Sequence, residues 1–366
     1  MKNKVYFFSG SRADYSLMES VFLLFKKNKS FKKKFVLTGT NLSKKYSDDE
    51  KFNISQKDIL KIYVKLENSQ KKNFANIFSK YFSHFYKLLE KDKPNCIILL
   101  GDRYEALIFA ICAKFLNIKI IHFHGGETTL GSLDNTWRDI ISRLSDYHFT
   151  SLSMYKDKLI SNGINKQKIF NIGSVGASNI TKFKTKKKFI FPNNYKFQKK
   201  ILVSYHSLTT SILQSRKDLK EILNALSYFK NNYILFTYPG HDFDSDYIIQ
   251  NIKIFNKSNR NSQMIKNAKL FAFSGLLKSF DIFIGNSSAG IIEAPSAKIP
   301  TINIGNRQKG RICGKSIFHV TAKSKLISTE IKKVLDLKKV SFVNPYYKKK
   351  TMINIYKKLL FIIKKI

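Results

Sequence analysis

Short runs of apolar residues alternate along the chain with longer amphipathic stretches. Runs of this length, rich in Ile, Val, Phe and Leu, are typical of buried β-strands, and the stretches between them have the helical period. Strands that alternate with helices form βαβ units and a largely parallel sheet. The runs of the first half lie at residues 5–8, 35–37, 97–100, 119–123, 147–150 and 169–172. The sequence therefore predicts an α/β fold.

The stretches between the runs predict helices with one apolar face. After the first run, the apolar residues Leu17, Val21, Leu24 and Phe25 share a face. A longer helix at 74–89 carries Phe and Tyr at helical spacing. We expect this aromatic stripe to pack in the core rather than to bind a ligand.

The second half starts after a break in the alternation, where a Lys-rich stretch with Pro and Asn predicts a linker at 177–199. Because 366 residues exceed what one hydrophobic core usually holds, we predict two domains, at 1–176 and 200–345. The amphipathic tail at 350–366 is expected to form a helix that returns to the first domain, with a membrane surface as the alternative. The strands of the second half are predicted at residues 201–204, 233–237, 270–273, 281–284, 301–304 and, as an extra edge, 316–320.

The charge is strongly positive, because 66 Lys and Arg against 25 Asp and Glu give a formal net charge of +41. Dense positive charge favours nucleic acid or anionic membranes. However, only 8 of these residues are Arg, which nucleic-acid readers use for bidentate contacts, and the lysines are spread along the chain. We therefore interpret the charge as a bias toward Lys and predict neither a nucleic-acid nor a membrane partner.

The cysteines and the chain start indicate the cellular compartment. Cys96, Cys112 and Cys313 lack the spacing of a metal site and are expected to be free thiols. The first apolar run is too short for a signal peptide, and no stretch approaches the ~20 apolar residues of a membrane span. The sequence predicts a cytoplasmic protein.

One turn in the second half has the pattern of a phosphate-binding site. A strand runs into the small residues Gly285, Ser287, Ser288 and Gly290 and then into a short helix. Backbone N–H groups at a helix N-terminus attract anions, and Glu293 on this helix could accept hydrogen bonds from ribose hydroxyls. The alternative is an ordinary turn with a serine N-cap.

Other polar residues also follow predicted strands. Ligands of parallel α/β sheets bind outside the carboxyl ends of the strands, and a guanidinium there gives bidentate contacts to phosphate. We therefore predict a cleft between two facing sheets, although each residue alone has a structural explanation such as a helix cap. The candidates are Ser11, Arg12, Asp102, Arg103, His124, Glu127 and Asp134 in the first half, and His206, Thr209, Thr210, Tyr238, His241, Arg307 and Arg311 in the second.

Five motifs of the chain resemble, in the same order, those of the hydrolysing UDP-N-acetylglucosamine 2-epimerases. They are SGSRADYS (9–16), GDRYEAL (101–107), HFHGGETTLGSLDNTWRD (122–139), SYHSLTT (204–210) and GNSSAGIIEAPSAKIPTINIGNRQKGR (285–311). The resemblance implies a glycosyltransferase-B-type architecture, in which two Rossmann-like domains face a cleft and the C-terminal one holds most of the nucleotide. It also implies a UDP-sugar substrate, no metal or redox cofactor, and a homodimer or homotetramer.

The resemblance further implies inversion at C2 of the sugar with loss of UDP, which releases the free 2-epimer, N-acetylmannosamine in the parent case. The residues it suggests for proton transfer are Asp102, Glu127, Asp134 and His124, with His206 for protonation or leaving-group contact. The residues it suggests for the UDP side are Arg12, Arg103, Ser287, Ser288, Gly290 and Arg307, with Glu293 on the ribose.

Some positions depart from the family pattern. Many members have a glutamate two positions before the Gly-Gly pair, where this chain has His124, so either His124 or Glu127 takes that role. Asn41 and Gly240 also replace residues common in the family. The substrate is therefore either UDP-N-acetylglucosamine or a UDP-2,4-diacetamido-2,4,6-trideoxyhexose on the way to a nonulosonic acid of surface polysaccharide. A UDP-sugar glycosyltransferase of the same architecture and a polyanion-binding protein are the alternative functions.

Overall fold

The computed structural model describes residues 2–46, 52–66, 73–182, 189, 191, 197–266 and 270–366. The chain divides into two compact units. The first contains Met1–Glu127, Leu133–Ser178 and Tyr346–Ile366, and the second contains Thr128–Ser132 and Asn179–Pro345. The short segment 128–132 thus belongs to the second unit although both of its neighbours belong to the first. Most of the predicted linker at 177–199 lies outside the described residues.

The first unit is built on a parallel sheet of seven strands. Its strands are β1 (Lys4–Ser9), β2 (Lys32–Leu37), β3 (Ile59–Lys61), β4 (Cys96–Leu100), β5 (Lys119–Phe123), β6 (Tyr147–Thr150) and β7 (Ile169–Asn171). Its helices are α1 (Arg12–Leu23), α2 (Phe74–Asp92), α3 (Tyr104–Phe115), α4 (Asp134–Leu144), α5 (Ser153–Ser161), the first half of α6 (Val175–Lys182), and α13 (Thr351–Lys365). The strand order is β3-β2-β1-β4-β5-β6-β7.

Two apolar layers enclose this sheet. The central strand β4 reads CIILL and is buried along its length, as expected for a strand covered by helices on both faces. On one face, α2 buries Ile77, Tyr81, Phe85 and Leu89 at helical spacing, so this part of the predicted stripe lies in the core, whereas Phe78 is exposed. On the other face, the C-terminal helix α13 packs against α1 and β1.

The second unit has a parallel sheet of six strands. Its strands are β8 (Lys200–Ser204), β9 (Tyr233–Thr237), β10 (Ser262–Ile265), β11 (Ile282–Gly285), β12 (Thr301–Ile304) and β13 (Ile317–Val320). Its helices are the rest of α6, α7 (Ile212–Leu226), α8 (Ser245–Ser258), α9 (Leu270–Leu277), α10 (Ala289–Ile292), α11 (Ala294–Ala297) and α12 (Ser324–Leu335). The strand order is β10-β9-β8-β11-β12-β13.

One predicted strand of the second unit is wrong. The apolar run at 270–273 begins the helix α9, and the strand that pairs with β9 is β10, whose sequence SQMI is only half-buried. A short run that is apolar on all sides does not distinguish a buried helix from a strand, whereas a polar edge strand gives little apolar signal. The predicted extra edge strand is confirmed as β13.

Both sheets have the doubly wound order. Successive strands are added on one side of the first strand, and the chain then reverses, crosses over and adds the later strands on its other side. The reversal lies between β1 and β4 in the first unit and between β8 and β11 in the second. This confirms the predicted α/β class with two Rossmann-like sheets. Ligands of such sheets bind outside the carboxyl ends of the strands at the reversal, so the residues that follow these strands define the candidate site. None of the described helices is long and apolar enough to span a bilayer.

Candidate active site

The candidate site of the first unit begins after β4, at Asp102. Gly101 leaves the strand at φ +80°, a conformation that favours glycine, and its N–H still donates to the carbonyl of Phe123 at 3.0 Å. The carboxylate of Asp102 forms an ion pair with the guanidinium of Arg138, whose side chain is 2% exposed while that of Asp102 is 26% exposed. The buried guanidinium of Arg138 is therefore balanced by a carboxylate that solvent can still reach.

Helix α4 supplies the groups that hold this region together. Asp134, Arg138 and Ser142 are spaced by four residues and lie along one face of the helix. Arg138 also donates from Nη1 to the carbonyl of Glu127 at 2.8 Å. Ser142 lies 3.2 Å from Nδ1 of His122, whose Nε2 lies 2.7 Å from the carbonyl of Gly101. Burial lowers the pKa of His122 to about 3, so this imidazole is neutral.

A second buried pair follows β5, where His124 faces Glu127. Nδ1 of His124 and Oε1 of Glu127 are 2.9 Å apart, and their side chains are 8% and 3% exposed. The hydroxyl of Ser151 donates to the same Oε1 at 2.6 Å. His124 adopts φ +64°, which is rare for a residue with a side chain, and Gly126 follows at φ +77°.

The glycines between these two residues have no room for a side chain. A Cβ on Gly125 would lie 2.9 Å from Oγ of Ser142, and one on Gly126 would lie 2.5 Å from the carbonyl of Tyr155. The Gly-Gly pair therefore lets the turn lie directly against α4 and α5. It also allows the chain to turn so that the side chain of Glu127 faces that of His124.

The remaining candidates of the first unit lie beside this network. Arg103 extends its guanidinium to the fully buried Glu105, with Nε 3.3 Å from Oε2. Desolvation raises the pKa of Asp14 to about 7, against the opposing effects of the Ser11 hydroxyl and Arg103. Arg12 and Asp134 are the first residues of α1 and α4. Within the residues that the structure describes, no three His, Cys, Asp or Glu side chains form a metal-binding group.

In the second unit, the predicted phosphate turn lies where β8 and β11 end. Gly285 has φ +138°, and the position of a Cβ there is occupied by the carbonyl of Ser204, so only glycine fits. The next residue, Asn286, binds the backbone of His206 twice, by accepting from its N–H at 2.7 Å and donating to its carbonyl at 2.8 Å. Asn286 thus joins the two strand ends at the reversal point.

The small residues of this turn have separate structural reasons. The hydroxyl of Ser287 accepts from the N–H of Ala289 at 3.4 Å, and Ser288 immediately precedes α10. Gly290 is buried, and a Cβ there would lie 2.8 Å from the ring of Phe283. Packing therefore explains Gly290. Glu293 connects α10 and α11 at the end of the turn.

The segment after β12 completes this part of the site. Gln308 donates from Nε2 to the carbonyl of Asn286 at 2.8 Å, and Arg307 approaches the same carbonyl from Nη1 at 3.5 Å. The segment 128–132 packs here, with the N–H of Leu130 donating to the carbonyl of Lys309 at 3.1 Å. This cluster brings Arg307 to the Asn286–Ser288 turn, while the role of the turn as a UDP site stays a prediction.

Sequence reasoning missed three residues that organise the site, namely Arg138, Asn286 and Gln308. Each lies inside one of the quoted motifs, but Asn286 and Gln308 are uncharged, and Arg138 lies within a helix rather than after a strand. The usable signal was the scarcity of arginine, since Arg138 is one of 8 in the chain.

Comparison with known proteins agrees with this geometry. A sequence profile of the UDP-N-acetylglucosamine 2-epimerase family matches residues 24–360. The chain therefore belongs to this family.

Among individual relatives, the polysialic acid biosynthesis protein P7 of Escherichia coli is 31% identical over 364 residues, which cover 96% of this chain and 92% of that protein. The hydrolysing GDP/UDP-N,N'-diacetylbacillosamine 2-epimerase of Campylobacter jejuni is 34% identical over 327 residues, covering 87% of this chain and 84% of the relative. The crystal structure of the Neisseria meningitidis UDP-N-acetylglucosamine 2-epimerase bound to UDP-N-acetylglucosamine covers 99% of this chain and 100% of its own, with a TM-score of 0.77 and 20% identity. That likeness shows a shared fold.

Proposed function

We propose that the protein is a hydrolysing UDP-sugar 2-epimerase that acts on a UDP-2,4-diacetamido-2,4,6-trideoxyhexose or on UDP-N-acetylglucosamine. The observation that carries the proposal is the pairing of Asp102 with Arg138 and of His124 with Glu127 after two adjacent strands. Family membership and the two relatives above support it, since one of them is named as a hydrolysing epimerase of a diacetamido sugar.

The reaction has two steps that balance with one water. In the first, a base takes the proton from C2, the C–H electron pair forms a C1–C2 double bond, and the C1–O bond breaks to release UDP. In the second, water adds its oxygen to C1 of the glycal while a proton is delivered to C2 on the opposite face. The products are UDP and the free 2-epimer.

Different groups of residues are assigned to different parts of this chemistry. We assign proton transfer to Asp102, Glu127, Asp134 and His124 of the first unit, because inversion at C2 needs one group on each face of the sugar. The diphosphate is assigned to Arg12, Ser287, Ser288 and Arg307, where positive charge and N–H groups stabilise the departing anion. Glu293 is assigned to the ribose and His206 to the leaving group. The product is expected to enter nonulosonic acid synthesis in the cytoplasm, and the active form is expected to be a homodimer or homotetramer.

The test follows the sugar by NMR in heavy water. UDP-N-acetylglucosamine, UDP-N,N'-diacetylbacillosamine and its GDP counterpart are incubated separately with the protein. We expect one donor to give free manno-configured sugar with deuterium at C2, together with the free nucleoside diphosphate. Unchanged C2 protons with all donors would overturn the proposal. Transfer of the intact sugar to an acceptor would instead support a glycosyltransferase, and salt-sensitive binding of RNA that survives Asp102→Asn would support a polyanion-binding protein.

A further inference from the structure

The roles of His124 and Glu127 can be separated by their hydrogen bonds. Oε1 of Glu127 accepts from Ser151 at 2.6 Å and faces Nδ1 of His124 at 2.9 Å, while Arg138 holds the backbone carbonyl of Glu127. These contacts fix the Glu127 carboxylate from two directions, and its Oε1 has two hydrogen-bond partners. No described residue of the chain hydrogen-bonds Nε2 of His124, although this side chain is only 8% exposed.

We propose that Glu127 and His124 act as one unit, in which Glu127 positions the imidazole and Nε2 of His124 takes the proton from C2 of the sugar. This inference rests on the proposed function. It assigns the first step to His124. In the second step Asp102, which is ionised beside Arg138 at the end of the neighbouring strand, takes up a proton from solvent and delivers it to the opposite face of C2.

The hydrogen-bond direction explains why Nε2 is the reactive atom. A carboxylate has no proton to donate, so Nδ1 of His124 must carry the hydrogen and donate it to Glu127. The neutral imidazole then has its lone pair on Nε2, where it accepts a proton from the substrate. The resulting imidazolium lies beside the Glu127 carboxylate, and an opposite charge at this distance stabilises it in a poorly solvated site.

The charged groups around His124 are consistent with this assignment. On its own strand, His122 is buried and neutral, so it adds no competing positive charge. From α4, the guanidinium of Arg138 is paired with Asp102. From the end of β6, Ser151 contributes an uncharged hydroxyl. Glu127 is therefore the carboxylate in direct contact with the imidazole among the residues that the structure describes.

The backbone also argues against a purely structural histidine. His124 adopts φ +64°, where asparagine or glycine is more stable, and a buried ring nitrogen without a partner costs further free energy. Strain of this kind is characteristic of functional sites. A role for Nε2 toward the substrate accounts for both features.

Two substitutions at residue 124 separate the functions of the two ring nitrogens. In His124→Asn, the amide takes the place of Nδ1, so it can still donate to Glu127, and asparagine tolerates the left-handed backbone. It lacks a group at the position of Nε2. We expect UDP release to fall by roughly 10²–10⁴-fold, the usual contribution of a general base. UDP binding and folding, followed by the fluorescence of the single tryptophan Trp137, should be unchanged.

His124→Glu provides the complementary measurement, because it restores a base without an imidazole. We expect it to recover part of the activity lost in His124→Asn, with the acidic limb of the pH–rate profile displaced from that of the wild type, because two neighbouring carboxylates titrate as a coupled pair rather than as an imidazole. A structural role for His124 would not move this limb.

The contribution of Glu127 is tested through non-additivity. Gln at position 127 can still accept from Nδ1 but is uncharged, so Glu127→Gln should lower UDP release by about 10–10²-fold, less than His124→Asn. In the double variant we expect a loss no larger than that of His124→Asn alone, because groups that act as a unit are not additive. Ser151→Ala should cost a few-fold, whereas the control Ser145→Ala, which loses only a bond to the carbonyl of Ile141 at 2.7 Å, should cost nothing.

A half-reaction completes the test. The 2-acetamidoglycal of the donor sugar, supplied with UDP and the enzyme, undergoes only the second step. His124→Asn should hydrate this glycal at close to the wild-type rate. A variant that is unfolded, or that does not bind the glycal, would not hydrate it.

The inference is overturned if His124→Asn releases UDP at the wild-type rate, or if Glu127→Gln is inactive while His124→Asn is not, since Glu127 would then be the base. Losses that multiply in the double variant would also overturn it. These outcomes presuppose a wild-type protein that releases UDP from one of the donors. Failure of the wild type would overturn the proposed function instead.

Discussion

The sheets of the two units share the order of their first six strands, yet the residues after these strands form opposite kinds of site. In the first unit, ionisable side chains pair with one another, as Asp102 does with Arg138 and Glu127 with His124. In the second unit, hydrogen bonds between an amide side chain and the backbone join the strand ends, as those of Asn286 join the ends of β8 and β11. Related folds thus specify where a site lies, and side chains decide its chemistry.

This difference teaches what each unit can do. Buried groups that exchange protons need neighbours that compensate the charge they gain or lose, which the first unit supplies. A diphosphate already carries its charge and needs N–H donors and a guanidinium, roles that the proposed function assigns to the turn around Ser287 and to Arg307. Each variant below acts on one unit and leaves the other as its internal reference.

The largest effect is expected from Asp102→Asn in the first unit. A neutral amide cannot deliver a proton to C2, so we expect formation of free sugar to fall by about 10³-fold. Binding of UDP, measured by calorimetry, should be unchanged. The matched control is Asp139→Asn on α4, whose carboxylate is 39% exposed and pairs with Lys158 at 3.4 Å. Equal losses in the two variants would contradict the assignment of Asp102.

The second effect concerns acid stability of the first unit. Burial lowers the pKa of His148 to about 4, below the value near 6.5 of an unfolded histidine. The unfolded chain therefore binds the proton first, so this contribution to stability is complete above pH ~6.5 and is lost as the pH falls toward 4. We expect it to amount to about 3 kcal/mol. His148→Gln should flatten the fall in the free energy of unfolding over this range, measured by urea unfolding with Trp137 fluorescence, which reports the first unit. Parallel curves for variant and wild type would show that His148 does not carry the effect.

The third effect separates an ion pair with a buried guanidinium from a half-exposed pair on the same helix. Arg138→Met leaves Asp102 without its guanidinium and removes the bond to the Glu127 carbonyl. We expect a loss of about 2 kcal/mol in the free energy of unfolding, less than for a fully buried pair because Asp102 is 26% exposed. Lys158→Met removes the half-exposed partner of Asp139 and should cost less than ~0.5 kcal/mol. The comparison fails if both variants are equally stable.

The fourth effect belongs to the second unit. A Cβ on Gly131 would lie 2.5 Å from Cα of Arg307 and 2.6 Å from the carbonyl of Asn306, so Gly131→Ala must displace the backbone that carries Arg307. We expect UDP affinity to fall about tenfold, which corresponds to about 1.4 kcal/mol. The adjacent Leu130→Ala, at a side chain that is 57% exposed, is the control and should bind UDP normally. Normal UDP binding by Gly131→Ala would show that this segment does not support the nucleotide site.

The smallest effect is expected on the surface of the second unit. Arg216 donates two hydrogen bonds to Asp244, at 2.8 and 2.6 Å, but its side chain is 44% exposed. We expect Arg216→Met to change the free energy of unfolding by no more than ~0.5 kcal/mol, because solvent screens the pair. A loss as large as that of Arg138→Met would show that geometry rather than burial governs these pairs.

Much of this protein was determined by the sequence itself. Buried strands such as β5 and β12 were predicted residue by residue, because a buried parallel strand is a short apolar run bounded by polar turns. Gly285, Ser287 and Arg307 were likewise singled out from the sequence, since turn chemistry and scarce arginines are local signals, and their role toward a nucleotide stays a prediction. The strand predicted at 270–273 was wrong, because an apolar run without alternation fits a buried helix equally well.

Only the tertiary structure decided which side chains pair. The sequence left open whether His124 or Glu127 takes the family glutamate's role, and the structure places the two in contact, held by Ser151. It also assigned Arg138 to Asp102, a pairing between residues 36 positions apart. Sequence patterns report whether a residue is buried and in which element it lies. They do not report how elements distant along the chain are oriented, and the pairing of polar groups depends on that orientation.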